Sequence, residues 1–469
     1  MKFNKNILLF TGAYFIIRIF SFFFGPETPL QAQSILNTFV SEIILASAIY
    51  LIWKNRPWGW YIIALEIILG GAGGFLSVGS ISLRTLLLIL SISTFFTKKI
   101  TGGQLYDLYL ETKTISKILS LLFVVVLISV LRGIYFGHGM GAIFADTIPY
   151  FFFLYYYPLR ELMKTEKFKN ICFSAICAAI IGNAIFMAFT LAGFSWGVIS
   201  LQQTYYHWFR DVALGKITDF HTEYYRLVIN EHLLLAPVLL YFLNKIIREK
   251  VLTPANILYS ALLLFILSVN LTRIYMLALA FGLLFFFTKA AWKRWLAYCA
   301  GVGLVFVLIF TYTHLLATRG TSPGWEFFGL RLQSIVQPQI EDSSLSRMLL
   351  LPKIWGKIMQ HPVLGNGLGD AVAVYSPIFK KEISTPSFDW GYLELWDELG
   401  IIGITAWLIL LGVIISTQKI YLKHSGEGAY VLSAIGSLMV INITSPALFH
   451  VLGIIILIYL SNVNKYARV

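Results

Sequence analysis

The sequence predicts an all-α protein: a polytopic integral membrane helical bundle of about 12–14 spans with one large extracytoplasmic helical loop. Three observations predict it. Of 469 residues, 58% are hydrophobic and only 13% are charged, roughly half the charged share of a soluble domain. Apolar runs of about 20 residues, the length a helix needs to cross hydrocarbon, recur along the whole chain. Lysine and arginine gather in alternate loops between those runs, as topology in a membrane requires. The formal charge of +13 is therefore spent on orientation, which argues against nucleic acid as a partner. Cys172 and Cys177 share one run and Cys299 lies in another, so neither a disulfide framework nor a metal set is indicated.

Taken in order, candidate spans lie near 7–24, 34–53, 58–78, 81–97, 115–136, 140–159, 171–191, 232–247, 255–271, 273–288, 294–312, 399–417, 429–444 and 446–462. Lys2 and Lys5 precede the first run without a convincing cleavage site, so it reads as a span that stays attached. Gly70–Gly74 (GGAGG) falls inside the third run, where small residues allow close helix packing. Loops on one side carry Lys54 and Arg56, Lys98 and Lys99, Arg160 to Lys169, Lys245 to Lys250, Lys289 to Arg294, and Lys419 with Lys423. The opposite loops are nearly bare. This alternation places both termini in the cytoplasm and the stretch Thr313–Glu398 outside. Four segments follow: an N-terminal bundle 1–191, an outer loop with core spans 192–312, the extracytoplasmic loop 313–398, and C-terminal spans 399–469.

The type of cation is informative. The cytoplasmic side has Arg56, Arg160, Arg248, Arg294 and Arg468 among many lysines. The outer side has Arg132, Arg210, Arg226, Arg273, Arg319, Arg331 and Arg347 with few lysines. A planar, permanently charged fork suits a phosphate or carboxylate held in a bidentate way. Taken singly, each arginine reads as structural, in contact with lipid headgroups or paired with Asp211, Glu223, Glu231, Glu341 or Asp342. Their accumulation on one side points to an anionic ligand at headgroup depth.

Within the large loop, Leu345, Met348, Pro352, Trp355 and Met359 form one helical stripe, and Ser346, Lys353 and Lys357 another. Asp342 and the serines after it offer an N-cap. The expectation is an amphipathic helix lying on the membrane, packed through its Trp and Met stripe. HPVLGNGLGD follows; after a helix rather than a strand, its glycines read as a turn that re-aims the chain. His361 falls at the helix end, where it reads as a cap. DWGYLELWDELGIIG then crowds Asp389, Glu394, Asp397 and Glu398 at the mouth of the next span. The helix dipole favours some of them there; one of them suits a general base for a hydroxyl nucleophile.

This order of motifs resembles the O-antigen ligase and O-antigen polymerase family of membrane glycosyltransferases over about residues 200–420. Leu271, Thr272 and Arg273 are similar to its Ser-Arg element, with Thr for Ser. Arg347 and Trp355 are similar to the loop helix, and Pro362, Gly365 and Gly367 to the turn. Glu398, Leu399, Gly400 and Gly403 are similar to the final element, and Arg210 with Gly215 to a basic element of the preceding outer loop. Two adjacent positions depart: eleven residues before Gly400 stands Asp389, where the ligases carry histidine, and Trp390 replaces asparagine.

The resemblance implies transfer of a glycan from undecaprenyl pyrophosphate to an acceptor hydroxyl of a glycan or lipid, on the extracytoplasmic face of the bacterial inner membrane. It implies no cofactor and no metal, because the donor is already activated. Membrane lipids are the surroundings. Arg347 and Arg273 are the expected leaving-group clamps, with Asp389 as base. Arg210, Arg226, Arg319, Arg331, Trp355 and Glu398 are the expected substrate contacts. The polymerase reading is preferred to the ligase, whose histidine is missing. A competing class is a transporter or flippase, signalled by the intramembrane charges Arg18, Glu42, Glu66 and Arg84. Arg18 and Glu42 are instead expected to form a structural ion pair, since they fall at similar depth on consecutive spans.

Overall fold

A computed structural model describes residues 5–25, 31–219, 223–337, 342–376, 381–385, 388–422 and 426–462. The described residues are mostly helical, with three short antiparallel strand pairs, as suits an all-α polytopic membrane protein. Among the described residues, six helices are long and apolar enough to cross a membrane: Lys5–Phe24, Ile35–Trp53, Leu105–Tyr135, Glu166–Ser195, Lys289–Ala317 and Gly391–Ser416. Five shorter apolar helices accompany them: Trp58–Leu69, Pro254–Asn270, Arg273–Leu284, Gly428–Ile441 and Val451–Asn462. Large apolar side chains such as Leu8, Ile16, Ile35 and Leu127 are exposed on the long helices, which hydrocarbon tolerates and water does not.

Contacts divide the chain into two compact units. The first comprises Met1–Leu105, Tyr157–Met276 and Phe286–Gly324. Its centre is the helix Glu166–Ser195, against which Lys5–Phe24, Trp58–Leu69 and Pro254–Asn270 all pack. The span expected over 58–78 ends at Leu69, and Gly70–Gly74 forms a turn instead of a packing seam. Two arginines cap the helix end. The last carbonyls of a helix lack intrahelical donors; here Arg18 donates to Leu69 O at 3.0 Å, and Arg84 adds a second donor, at 3.2 Å, to Glu66 O, which also accepts Gly70 N–H.

The expected Arg18–Glu42 pair is corrected as well. Arg18 Nη2 meets Glu231 Oε1 at 2.6 Å, and Glu42 is exposed. Glu231 lies 213 positions away in sequence, so similar depth on neighbouring spans was no guide to the partner. The Arg18 guanidinium also lies 3.3 Å from the Tyr14 ring centroid, a cation–π contact that helps hold a charge out of water.

The second unit comprises Tyr106–Tyr156, Leu277–Phe285 and Trp325–Val469. The span expected over 140–159 is here a helix Met140–Phe151, a 3₁₀ turn Phe152–Tyr155, and a further helix Tyr156–Leu162. Pro149 and Pro158 remove two backbone donors, which accounts for the interruption. Trp407 is fully buried against Tyr150 and Phe153. The loop helix Asp342–Ile358 precedes an antiparallel hairpin, Val372–Ser376 with Lys381–Thr385, and then the helix Gly391–Leu422.

The loop helix is amphipathic, but its packed face differs from the expected one. Leu350, Ile354 and Ile358 are buried with Val372 and Phe388, whereas Met348, Trp355 and Met359 are each about half exposed. Leu350, Ile354 and Ile358 also fall at four-residue spacing, so the sequence contained two apolar stripes and only tertiary contacts chose between them. The side chains of Asp342, Ser343 and Ser344, expected as caps, and residues His221 and Glu341 lie outside the described residues.

Candidate active site

In the second unit the site is built on a broken helix. Gly400 has φ 68° and ψ −174°, so Gly391–Leu422 is two helices joined at a kink. The break frees backbone groups that cannot stay bare in an apolar layer. The turn Pro362–Leu368 takes them up. Asn366 N–H donates to Asp397 O and Gly367 N–H to Glu398 O, while Ile401 N–H donates to Pro362 O and Ile402 N–H to Val363 O. Ser129 Oγ donates to Glu398 O at 2.7 Å, and Arg132 Nε to Gly365 O at 2.8 Å. The turn reading of the glycine series holds: Gly365, Gly367 and Gly369 all have positive φ.

Polar side chains line this junction. Asn366 Nδ2 donates to Asp397 Oδ1 at 2.7 Å, and Lys357 Nζ donates to Asp370 Oδ1 at 2.5 Å. Gly369 N–H donates to Asp146 Oδ2 at 3.1 Å, and the Asp146 and Glu398 carboxyl groups share a hydrogen bond. Glu398, expected to touch substrate, is 2% exposed and committed to this interior. Asp146, Ser129, His138 and Asp370 were not singled out from the sequence. For Asp146 and for His138, whose Nδ1 lies 2.9 Å from Leu368 O, the available signal was the polar interruption RGIYFGHGMGAIFAD between two apolar runs.

Arg347 and Asp389 meet at the edge of the junction, Nη2 to Oδ2 at 3.4 Å. That separation is beyond a good hydrogen bond, and both side chains are partly exposed. Arg347 Nε is buried and has no hydrogen-bond partner among the described residues. A guanidinium with one loose contact and an unused N–H keeps donors for an anion. Asp389 is held in the left-handed region at φ 54°. Its neighbours fix it there: Phe388 N–H donates to Glu394 Oε2 at 3.0 Å, and Trp390 Nε1–H donates to Arg347 O at 3.2 Å. Strained residues of this kind persist where the surroundings over-determine them. Trp355 stands edge-on to Trp396 at 5.8 Å, and Trp396 Nε1–H donates to Pro362 O, so both tryptophans tie the loop helix to the broken one. Arg331 is buried in the helix Trp325–Val336.

The first unit holds the other arginines. The helix Pro254–Asn270 ends at Leu271, which is left-handed, and Arg273 opens the helix Arg273–Leu284. Arg226, on the strand Tyr225–Val228, donates from Nε to Asn270 O and from Nη2 to Thr272 Oγ1, each at 2.8 Å. Arg210 is exposed and grips Asp211 through Nε and Nη2 at 2.6 and 2.8 Å. Those bonds hold the Asp211 carboxyl below the usual carboxylate range. Arg319 Nη2 donates to Trp196 O at 2.9 Å. The structure thus pairs Arg347 with Asp389 and sets Arg226 beside the Arg273 helix start. Arg210 and Arg319 are separately engaged.

Residues 258–408 match the family model described as O-antigen ligase. The matched stretch contains Arg273, Arg319, Arg331, Arg347, Trp355, Asp389 and Glu398; Arg210 and Arg226 precede it. The match supports the O-antigen ligase/polymerase family and, with the membrane helices, a multi-pass membrane glycosyltransferase of that type. No curated protein and no solved structure matches the chain.

Proposed function

We propose that the protein transfers a glycan from an undecaprenyl-pyrophosphate donor to an acceptor hydroxyl on the extracytoplasmic face of a bacterial inner membrane. Both termini then lie in the cytoplasm, and residues 313–398 form the extracytoplasmic loop. A growing glycan is the preferred acceptor, since the ligases' histidine is absent. The observation that carries this reading is the O-antigen ligase match over 258–408, a stretch that includes the Arg347–Asp389 pair.

The chemistry asked of these residues is modest. The acceptor oxygen forms a bond to the anomeric carbon while the bond from that carbon to the phosphate oxygen breaks. The electron pair leaves with the diphosphate, and the acceptor proton passes to the Asp389 carboxylate. Charge that builds on the leaving diphosphate is stabilised by fixed guanidinium donors; Arg347 and Arg273 are the residues assigned to this. No metal is called for, because the pyrophosphate is already an activated leaving group. Arg210, Arg319, Arg331 and Trp355 are further candidates for substrate contact.

The test is reconstitution of the full-length chain in liposomes with a lipid-linked glycan. Arg347→Lys and Arg273→Lys should each lower turnover by about 10²-fold, the effect of losing a fixed transition-state donor. Full turnover in both variants overturns the assignment. Gradient-driven transport without a glycan product would favour a transporter.

A further inference from the structure

We propose that Arg226 is a positioning residue, which sets where Arg273 emerges by clamping the two ends of the break at Leu271. The inference rests on the reading of Arg273 above. One planar guanidinium spans the break: Nε reaches the last residue of one helix, at Asn270 O, and Nη2 reaches Thr272 Oγ1, each at 2.8 Å. Thr272 O accepts Tyr275 N–H at 3.0 Å and Met276 N–H at 3.4 Å, so Thr272 is the residue from which the Arg273 helix starts.

The break needs such a clamp. Leu271 sits at φ 44° and ψ 32°, a left-handed conformation that a branched side chain adopts only when its surroundings hold it. Helix-terminal carbonyls lack intrahelical donors and carry the negative end of the dipole, so a cation there is favoured. Arginine serves both acceptors with donors fixed in one plane, which a lysine ammonium does not reproduce.

The surroundings hold Arg226 in turn. Its strand pairs antiparallel with Lys216–Asp219, with Arg226 opposite Thr218. Tyr224, fully buried, donates its hydroxyl to Ser268 O at 2.9 Å. Asn270 Oδ1 accepts Thr272 N–H at 3.0 Å, and Asn270 Nδ2 donates to His232 Nδ1 at 2.5 Å. The hairpin is thereby registered on the end of Pro254–Asn270. The clamp also accounts for Thr272 where the family pattern has serine: what Arg226 needs is a hydroxyl oxygen, and either residue supplies it.

The experiment uses full-length protein in liposomes with a lipid-linked glycan, and reads kcat and KM for Arg226→Ala, Thr272→Val, Thr272→Ser and the Arg226→Ala/Thr272→Val double variant. Arg226→Ala should lower kcat about 10-fold or more with the donor KM changed less than about 3-fold, as expected when a transition-state contact is displaced. Thr272→Val should lower kcat in the same way, and Thr272→Ser should restore it. The double variant should be no worse than Arg226→Ala, because both remove one shared contact. A raised donor KM at unchanged kcat, or losses that multiply in the double variant, would overturn the proposal in favour of direct substrate contact. If Arg226→Ala does not fold, the Val and Ser variants at Thr272 decide the matter alone, and wild-type kcat in Thr272→Val overturns it. If the wild type transfers no glycan, the functional reading fails. Amide exchange over 270–276 then reads the clamp: faster exchange in Thr272→Val supports it, and unchanged exchange overturns it.

Discussion

Gly365 and Gly400 sit so close that neither has room for a side chain. A Cβ on Gly365 would lie 2.7 Å from Gly400 N, and one on Gly400 would lie 2.6 Å from Gly365 N. Both also hold positive φ. Gly400→Ala and Gly365→Ala therefore combine a positive-φ penalty of about 1–3 kcal/mol with a backbone clash. Thermal unfolding in detergent should show a clear drop in Tm for each, whereas Gly412→Ala, which meets nothing within 4 Å, should be neutral or stabilising.

Asp389 offers a separation of stability from activity. Its left-handed φ of 54° costs an aspartate about 1 kcal/mol relative to glycine. Asp389→Gly should hold or raise the unfolding midpoint while removing the proposed base. Asp389→Asn keeps the shape and should lower turnover about 10²–10⁴-fold. Wild-type glycan transfer by Asp389→Asn would take this residue out of the mechanism.

The buried pair Arg18–Glu231 should behave as an interior ion pair. Removing one partner strands the other charge, so Glu231→Ala should destabilise by about 3–5 kcal/mol. Glu42→Ala, at an exposed position, should stay within about 0.5 kcal/mol of wild type. Chemical denaturation of the two variants distinguishes this pairing from one between Arg18 and Glu42.

The loop helix can be tested face by face. Ile354 is completely buried, so Ile354→Ala should cost about 2–5 kcal/mol. Trp355 is half exposed and contributes an edge-on contact with Trp396, so Trp355→Ala should cost nearer 0.5–1.5 kcal/mol. Equal losses would mean that the helix is turned differently.

Much of the architecture was legible because bilayer physics writes itself into composition: apolar run length and the glycine turn signals at Pro362–Gly369 are local properties. Partner choice was not. Arg18 finds Glu231 across 213 positions, and no spacing rule links them. The loop helix presented two apolar stripes, and the choice fell to the core formed with Val372 and Phe388. Asp389 was legible by its distance from Gly400, but its pairing with Arg347 across 42 positions needed the folded chain. The kink at Gly400 was hidden too, because a glycine in an apolar run looks the same whether the helix passes through it or stops there.

The exchange of backbone bonds between Pro362–Gly367 and Asp397–Ile402 makes that short segment behave like a key in a lock. Its length is fixed, because one added residue would throw every donor out of step with its acceptor. A single residue inserted between Pro362 and Gly367 should therefore lower the unfolding midpoint sharply, whatever its identity.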